Sequence, residues 1–131
     1  MSPQQLTVFL EYTRRFDQIA QNLPAAMREA PSEFDKEQGK LKALKSESVQ
    51  QTIIRYFNLC SEEFFLHEDG LIEDPVWNLW AAHMKTFLSS PIFQEVWQRA
   101  REDYSAFHKF QSFVDESAPS VTTPARKTKA K

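Results

Sequence analysis

Apolar residues recur along most of this chain at steps of three and four, the period of an α-helix with one buried face. The first such stripe predicts a helix from Pro3 to about Asn22, with Ser2 as its N-cap and proline in its first turn. Its apolar members are Leu6, Phe9, Tyr12, Phe16, Ile19 and Leu23. Pro24 breaks the pattern, because a proline ring clashes with the preceding helical turn.

Three more helices are predicted between Val49 and Val114. The second has a stripe of Val49, Ile53, Phe57, Cys60 and Phe64. Gly70 stands where a left-handed cap would end this helix, and Asp74 followed by Pro75 is expected to cap a third helix. The apolar face of the third helix comprises Val76, Trp77, Trp80, Met84, Phe87 and Leu88. Ser90 and Pro91 repeat this start for a fourth helix, whose stripe continues unbroken to Val114.

These elements predict an all-α fold, a four-helix bundle-like domain over residues 1–115. The second to fourth helices should form a tight unit, with the first packed across them or projecting. Residues 24–48 are poor in apolar anchors, so they form either a partly flexible connector or a direct lead into the second helix. Residues 116–131 cannot bury a core and are predicted to be a disordered basic tail.

Charge is unevenly distributed along the 131 residues. Because four basic residues among the last six contribute +4 to a formal net charge of −2, residues 1–125 carry −6. An acidic body is not the expected partner of nucleic acid. Cys60 is the single cysteine, so no intrachain disulfide can form. Without a secretory leader or an apolar run of roughly 20 residues, we expect a cytoplasmic protein with no membrane span.

One resemblance to known proteins rests on the residues that begin and end the later helices and on the aromatic residues near them. The motifs that carry it are Tyr56-Phe57, Gly70-Leu71-Ile72, Val76-Trp77, Pro91-Ile92-Phe93 and Trp97. In this order residues 49–114 resemble an uncharacterised family of short prokaryotic helical proteins of unknown function. The resemblance implies a helical fold and brings no activity with it. Members of that family often carry an N-terminal membrane helix, whereas residues 6–23 here include Arg14, Arg15 and Asp17 and cannot span.

Catalytic and metal-binding patterns are missing from the sequence. Two glycines, Gly39 and Gly70, are too few for a phosphate loop. The three histidines lack the Glu-x-x-His spacing of di-iron bundles. Cys60 lies on an apolar stripe, where a buried thiol is unreactive. We therefore predict no enzyme activity, no cofactor and no metal ion. An enzymatic function would require one pocket to gather His83, His108 and a carboxylate.

Two surfaces are candidates for binding a partner. Six acidic residues occur between positions 62 and 74 with no Lys or Arg among them, which forms either a docking edge for a basic partner or a solvated face. Trp77 and Trp80 share a helix face and belong to an aromatic content larger than the core needs. The candidate partner-binding residues are therefore Glu62, Glu63, Trp77 and Trp80.

The sequence favours a small non-enzymatic cytoplasmic protein that acts as a protein–protein interaction or regulatory module. The expected partner is another protein, or a second copy of the chain in a homo-oligomer. The alternative is a nucleic-acid-associated accessory protein that uses the basic C-terminal tail, although four charges give only weak, salt-dependent attraction. Tails of this kind are more often solubilising ends.

Overall fold

The structure is a computed structural model, and it describes residues 1–29 and 45–118. Its elements in chain order are α1 (Pro3–Ala20), α2 (Ala25–Glu29), α3 (Glu47–Glu68), α4 (Asp74–Leu88), α5 (Pro91–Ala100), a 3-10 segment (Arg101–Tyr104) and α6 (His108–Glu116). The described ranges contain no strand, so the predicted all-α class is confirmed. Most of the predicted connector, and the predicted tail from residue 119 onward, lie outside the described residues.

Two of the predicted helix ends are confirmed in detail. At the start of α1, Ser2 Oγ accepts a hydrogen bond of 3.1 Å from the Gln5 N–H. After α3, Gly70 has a φ of 77°, which a side chain would strain. The Gly70 N–H donates to the His67 carbonyl at 3.0 Å and the Leu71 N–H to the Leu66 carbonyl at 2.8 Å. This pair of bonds is the Schellman motif, which satisfies carbonyls at the end of α3.

The predicted N-cap role of Asp74 is wrong. Because α4 already includes Asp74, its N-cap residue is Glu73. The side chain of Glu73 makes no capping hydrogen bond. Gln5 Oε1 on α1 accepts from the Glu73 N–H at 3.0 Å, which ties the start of α4 to α1. Ser90 is the N-cap of α5 as predicted, but its buried hydroxyl has no partner among the described residues.

The predicted fourth helix is interrupted. It ends as α5 at Ala100, and α6 begins only at His108 after a 3-10 turn. The break lets α6 fold back beside α5, where Gln111 Nε2 donates to the Arg101 carbonyl at 2.7 Å. That bond satisfies a carbonyl group freed at the end of α5. Steps of three and four continue across the bend, so the apolar pattern could not reveal it.

An aromatic core joins α3, α4, α5 and α6. Its most deeply buried rings are Tyr56, Phe57, Phe93, Trp97 and Phe110. Helix α1 packs across this unit through a partly buried stripe of Val8, Phe9, Tyr12, Phe16 and Ile19. Of the two arrangements expected for the first helix, the structure has the docked one. Within residues 1–29 and 45–118, no helix combines the length and the apolar character needed to cross a membrane.

Candidate functional site

Helix α1 is fastened to α3 along one edge by Glu62. The Arg15 guanidinium donates to both carboxylate oxygens of Glu62, at 2.7 and 3.0 Å, and Tyr12 Oη donates to Oε1 at 2.9 Å. The bond from Arg15 is the main reason that the pKa of Glu62 is lowered from its ordinary value. Glu62 is thus already paired inside the protein. A charge reversal at this position would loosen α1 as well as alter the predicted docking edge.

Along its other edge, α1 packs only partly against α4, and the two helices border a pocket of about 360 Å³. We call it the α1–α4 pocket. Its α1 wall includes Phe9, Phe16 and Asp17, its α4 wall includes Leu79, Trp80 and His83, and its floor on α3 includes Tyr56, Leu59 and Glu63. A shallower depression continues from Phe16, Asp17 and His83 toward Ala20, Gln21 and Arg28. The pocket and this depression together are the α1–α4 groove.

Aromatic rings dominate the walls of the pocket. The Phe9 and Trp80 rings stack on each other, with their centroids 6.2 Å apart and their planes nearly parallel. Tyr12 lies 5.6 Å from Trp80, and Phe16 meets His83 edge-on at 4.7 Å. Side chains held in ring contacts of this kind lose little further freedom when a ligand binds. The pocket is therefore largely formed before it is occupied.

Glu63 is a buried carboxyl group in the floor of this pocket. Only 6% of the residue is exposed, and among the described residues no Lys or Arg forms an ion pair with it. Burial raises the pKa of Glu63 to about 8, while the charge of Arg15 works against this rise and that of Glu62 adds to it. Because a buried charge without a partner is costly, the carboxyl group is mostly protonated at neutral pH.

Tyr56 is a second floor residue with a polar side chain. Its hydroxyl is closed to solvent, has no oxygen or nitrogen partner among the described residues and interacts with the thiol of Cys60. Burial raises the pKa of Tyr56 well above its ordinary value, so the phenol stays neutral.

His83 belongs to the α4 wall and lies at the mouth of the pocket. Partial burial lowers its pKa below the ordinary value, although the nearby carboxylate of Asp17 acts in the opposite direction. The imidazole is therefore neutral at physiological pH. His108 is not part of this pocket; it lies with Lys109 in a separate surface depression on α6. The grouping that an enzymatic function was expected to need is thus not formed.

The four predicted partner-binding residues separate into different environments. Glu63 and Trp80 come together in the α1–α4 pocket. Glu62 belongs to the ion pair on the other edge of α1. Trp77 stacks on His67 with centroids 4.9 Å apart and contacts Phe113 on α6, away from the pocket. Whether any of them contacts a partner stays a prediction.

Sequence reasoning missed Tyr56, Asp17, His83 and Leu79 as members of one site. A signal was present for the floor, because Tyr56, Cys60 and Glu63 follow each other at steps of four and three on the buried stripe of α3. A carboxyl group in that register lies beside the buried stripe, and the position at which α1 docks determines whether it is covered. No comparable signal exists for the walls, which depend on how α1 and α4 lie relative to each other.

Neither a metal-binding arrangement in the described part of the chain nor a similarity to known proteins indicates the function of this chain. Among the described residues, no group of three or more His, Cys, Asp or Glu side chains is arranged to hold a metal ion. Comparison of the chain with known protein families, curated proteins and solved structures finds no match. The resemblance of residues 49–114 to a prokaryotic helical family remains a prediction. The α1–α4 groove is therefore the feature of this molecule that bears on its function.

Proposed function

We propose that the protein is a non-enzymatic interaction module whose α1–α4 groove receives an amphipathic helix of a protein partner. The observation that carries this proposal is a set of exposed leucines bordering an apolar groove. On the α4 side Leu79 is 62% exposed, and on α1 Leu10 is 56% and Leu6 is 46% exposed. Leu6 and Leu10 share their helix face with Thr13 and Asp17, which line the groove.

The dimensions of the groove suit a helix. Its α1 wall extends from Phe9 to Gln21, which corresponds to about 18 Å along the helix axis, or roughly three turns. A partner helix of that length presents apolar anchors at steps of three and four, and the exposed leucines and aromatic walls offer them apolar surface. Binding would cover side chains that the free protein leaves in water.

Charge narrows the choice of partner. Glu63 and Asp17 line the pocket, His83 beside them is neutral, and residues 1–125 carry a net charge of −6. A helix with a basic residue near its centre complements this end of the groove, whereas an acidic one is repelled. Arg28 at the shallow end favours an acidic residue there, which would fix the direction of the bound helix.

A catalytic role finds less support in the pocket. Cys60 is the nucleophile adjacent to its floor, and burial raises the pKa of the Cys60 thiol well above the ordinary value. A protonated, fully buried thiol cannot attack a substrate in the pocket. Glu63 and His83 offer proton transfer, but the described residues place no accessible nucleophile beside them and no group of three or more metal-ligating side chains. Binding is therefore the function proposed for this site.

The matched variants Leu79→Glu and Leu71→Glu test the proposal. Both leucines are 62% exposed, but Leu71 lies in the turn between α3 and α4 and does not line the groove. The tagged full-length chain would be cross-linked in its native cells, and the recovered partner would then be purified for calorimetry. We expect Leu79→Glu to weaken the affinity by at least about tenfold, and Leu71→Glu to leave it within about twofold.

The comparison between variants decides the matter, not the recovery of a protein by itself. Both variants must retain the circular dichroism spectrum of the wild type. A partner that binds both variants as tightly as the wild type, or loses both equally, does not use the α1–α4 groove, and the proposal would be wrong.

A further inference from the structure

We propose that the α1–α4 pocket is a binding site for an ammonium group, presented by a Lys side chain of the partner helix and paired with Glu63. This inference rests on the proposed function and adds the chemistry of recognition to it. Two features of the pocket support it independently: its aromatic walls and its buried carboxyl group.

The aromatic walls suit a cation. The face of an aromatic ring attracts a positive charge within about 6 Å of its centroid. Phe9, Tyr12 and Trp80 all line the pocket, and the Phe9 and Trp80 rings stack on each other with their centroids 6.2 Å apart. Arg15 already uses the Tyr12 ring in this way from the outer edge, since its guanidinium carbon lies 4.8 Å from the ring centroid. The methylene stem of a Lys side chain also finds an apolar lining in the pocket.

The floor supplies what an ammonium group needs at its tip. An ammonium group has three N–H donors and no acceptor, so it requires oxygen atoms around it. Glu63 lines the floor of the pocket and Asp17 its α1 wall, so two acidic residues border the same cavity. A cation at this point would provide the counter-charge that Glu63 lacks.

Binding of the cation is coupled to loss of a proton. The Glu63 carboxyl, with its pKa of about 8, is mostly protonated in the free protein at neutral pH. An ammonium group favours the carboxylate form, so the proton is released to solvent as the cation enters. As the pH rises toward 8, the affinity for the ammonium group should therefore increase by up to about tenfold per pH unit. Above pH 8 it should level off.

Other titratable groups near Glu63 do not reverse this dependence. From α1, the bond to Glu62 raises the pKa of Arg15, burial raises the pKa of Tyr12, and Asp17 supplies a carboxylate near His83. From α3, burial keeps Tyr56 and Cys60 neutral, whereas Glu62 is held ionised by Arg15. From α4, His83 has a lowered pKa and gains a repelling charge only in acid. All of these effects leave binding stronger at alkaline pH.

The test uses three small probes of matched length on the full chain: n-butylammonium, butan-1-ol and pentanoate. The first reproduces the end of a Lys side chain, the second is neutral, and the third is an anion. Titrations would follow the indole resonance of Trp80 and the carboxyl carbon of Glu63 by NMR. At pH 8.5 we expect n-butylammonium to bind at least about tenfold more tightly than butan-1-ol, and pentanoate not to bind. The pKa of Glu63 should fall from about 8 as n-butylammonium is added.

Glu63→Gln separates the buried carboxyl group from the rest of the site. The variant keeps the shape of the side chain and removes the charge, so we expect it to bind n-butylammonium at least about tenfold more weakly at pH 8.5 and with no rise between pH 7 and 8.5. Glu116→Gln, which removes an exposed carboxylate at the end of α6, should behave as the wild type.

Two results would overturn the inference. One is that butan-1-ol binds as tightly as n-butylammonium, or that no probe moves the resonances of Trp80 and Glu63. The other is that Glu63→Gln binds n-butylammonium as the wild type does. Neither result touches the comparison of Leu79→Glu with Leu71→Glu, so a groove that binds its partner through apolar contacts alone would still be recognised.

Discussion

Two interfaces of this molecule are built from similar aromatic side chains and differ in how completely they close. Where α3 meets α5 and α6, the ring centroids of Phe57 and Trp97 lie 5.2 Å apart, and both rings are fully buried. Trp97 Nε1 donates to Asp115 Oδ1 at 2.8 Å, so the polar atom of the indole is satisfied. Where α1 faces α4, Phe9 and Trp80 line a pocket open to solvent, and the buried Glu63 in its floor has no ion pair with a described Lys or Arg.

The difference teaches that aromatic content alone does not determine whether an interface closes. The closed interface provides acceptors for the buried donors of Trp97 and Gln111, although the Ser90 hydroxyl at the start of α5 has no partner among the described residues. The open interface retains a buried carboxyl group that no described Lys or Arg neutralises. A buried charge without a partner lowers stability. We therefore expect the closed region to contribute more to the stability of the fold, and the open region is the proposed binding site.

The largest effect that this comparison predicts comes from truncating the closed core. Phe57→Ala removes a fully buried ring and should lower the free energy of unfolding by about 3–5 kcal/mol. Phe9→Ala, in the open wall, should cost only about 1–2 kcal/mol, because part of that ring already faces solvent. Urea unfolding of both variants, followed by circular dichroism, measures the two losses. Equal losses would mean that the α1 edge is as tightly packed as the core.

The next effect concerns Glu63 and the pH dependence of stability. Because its pKa is raised from 4.5 to about 8, the folded protein holds this proton more tightly than the unfolded chain does. The contribution of the group to stability is therefore complete below about pH 4.5 and is lost as the pH rises toward 8. Glu63→Gln cannot ionise, so it should become more stable than the wild type across this window, by on the order of 3 kcal/mol at its upper end.

Urea unfolding at pH 5 and pH 8.5 would check this difference. Comparing each variant with the wild type at the same pH cancels the other titrating groups. Glu116→Gln, with an exposed side chain on α6, serves as the control and should show no such trend. If Glu63→Gln gained nothing between the two pH values, the carboxyl group would be solvated or paired in the folded protein, and the open interface would have lost its main polar feature.

Much of the closed region could be predicted from the sequence. The stripe that includes Phe57 and Cys60 is buried as expected, and Gly70 ends α3 in the left-handed conformation. These features depend on local spacing and on a single backbone preference, both of which are readable along the chain. The interruption between Ala100 and His108 was missed, because apolar spacing describes one helix face and carries no information about a bend that preserves it.

The open region was predictable only in part. Its aromatic residue Trp80 was singled out, but Glu63 was placed on one acidic edge together with Glu62, interpreted as either a docking edge or a solvated face. Adjacent residues on a helix differ by about 100° in direction, so one carboxylate faces Arg15 on α1 while the other enters the pocket. Which of the two is buried depends on where α1 docks, and that contact joins residues 47 positions apart.

The smallest predicted effect concerns the edge that holds α1 in place. A double-mutant cycle of Arg15→Met and Glu62→Gln should give a coupling of about 0.5–1 kcal/mol, reduced in high salt, because both side chains are partly exposed. The same cycle on Arg14→Met and Glu11→Gln is the control, since that pair is equally short at 2.7 Å but lies within α1 alone. Only the first pair joins two helices, so only its removal should also increase amide exchange along α1. If both cycles gave the same coupling and left exchange unchanged, apolar contacts of Phe9, Phe16 and Ile19 alone would hold α1, and the two edges of this helix would differ in packing rather than in charge.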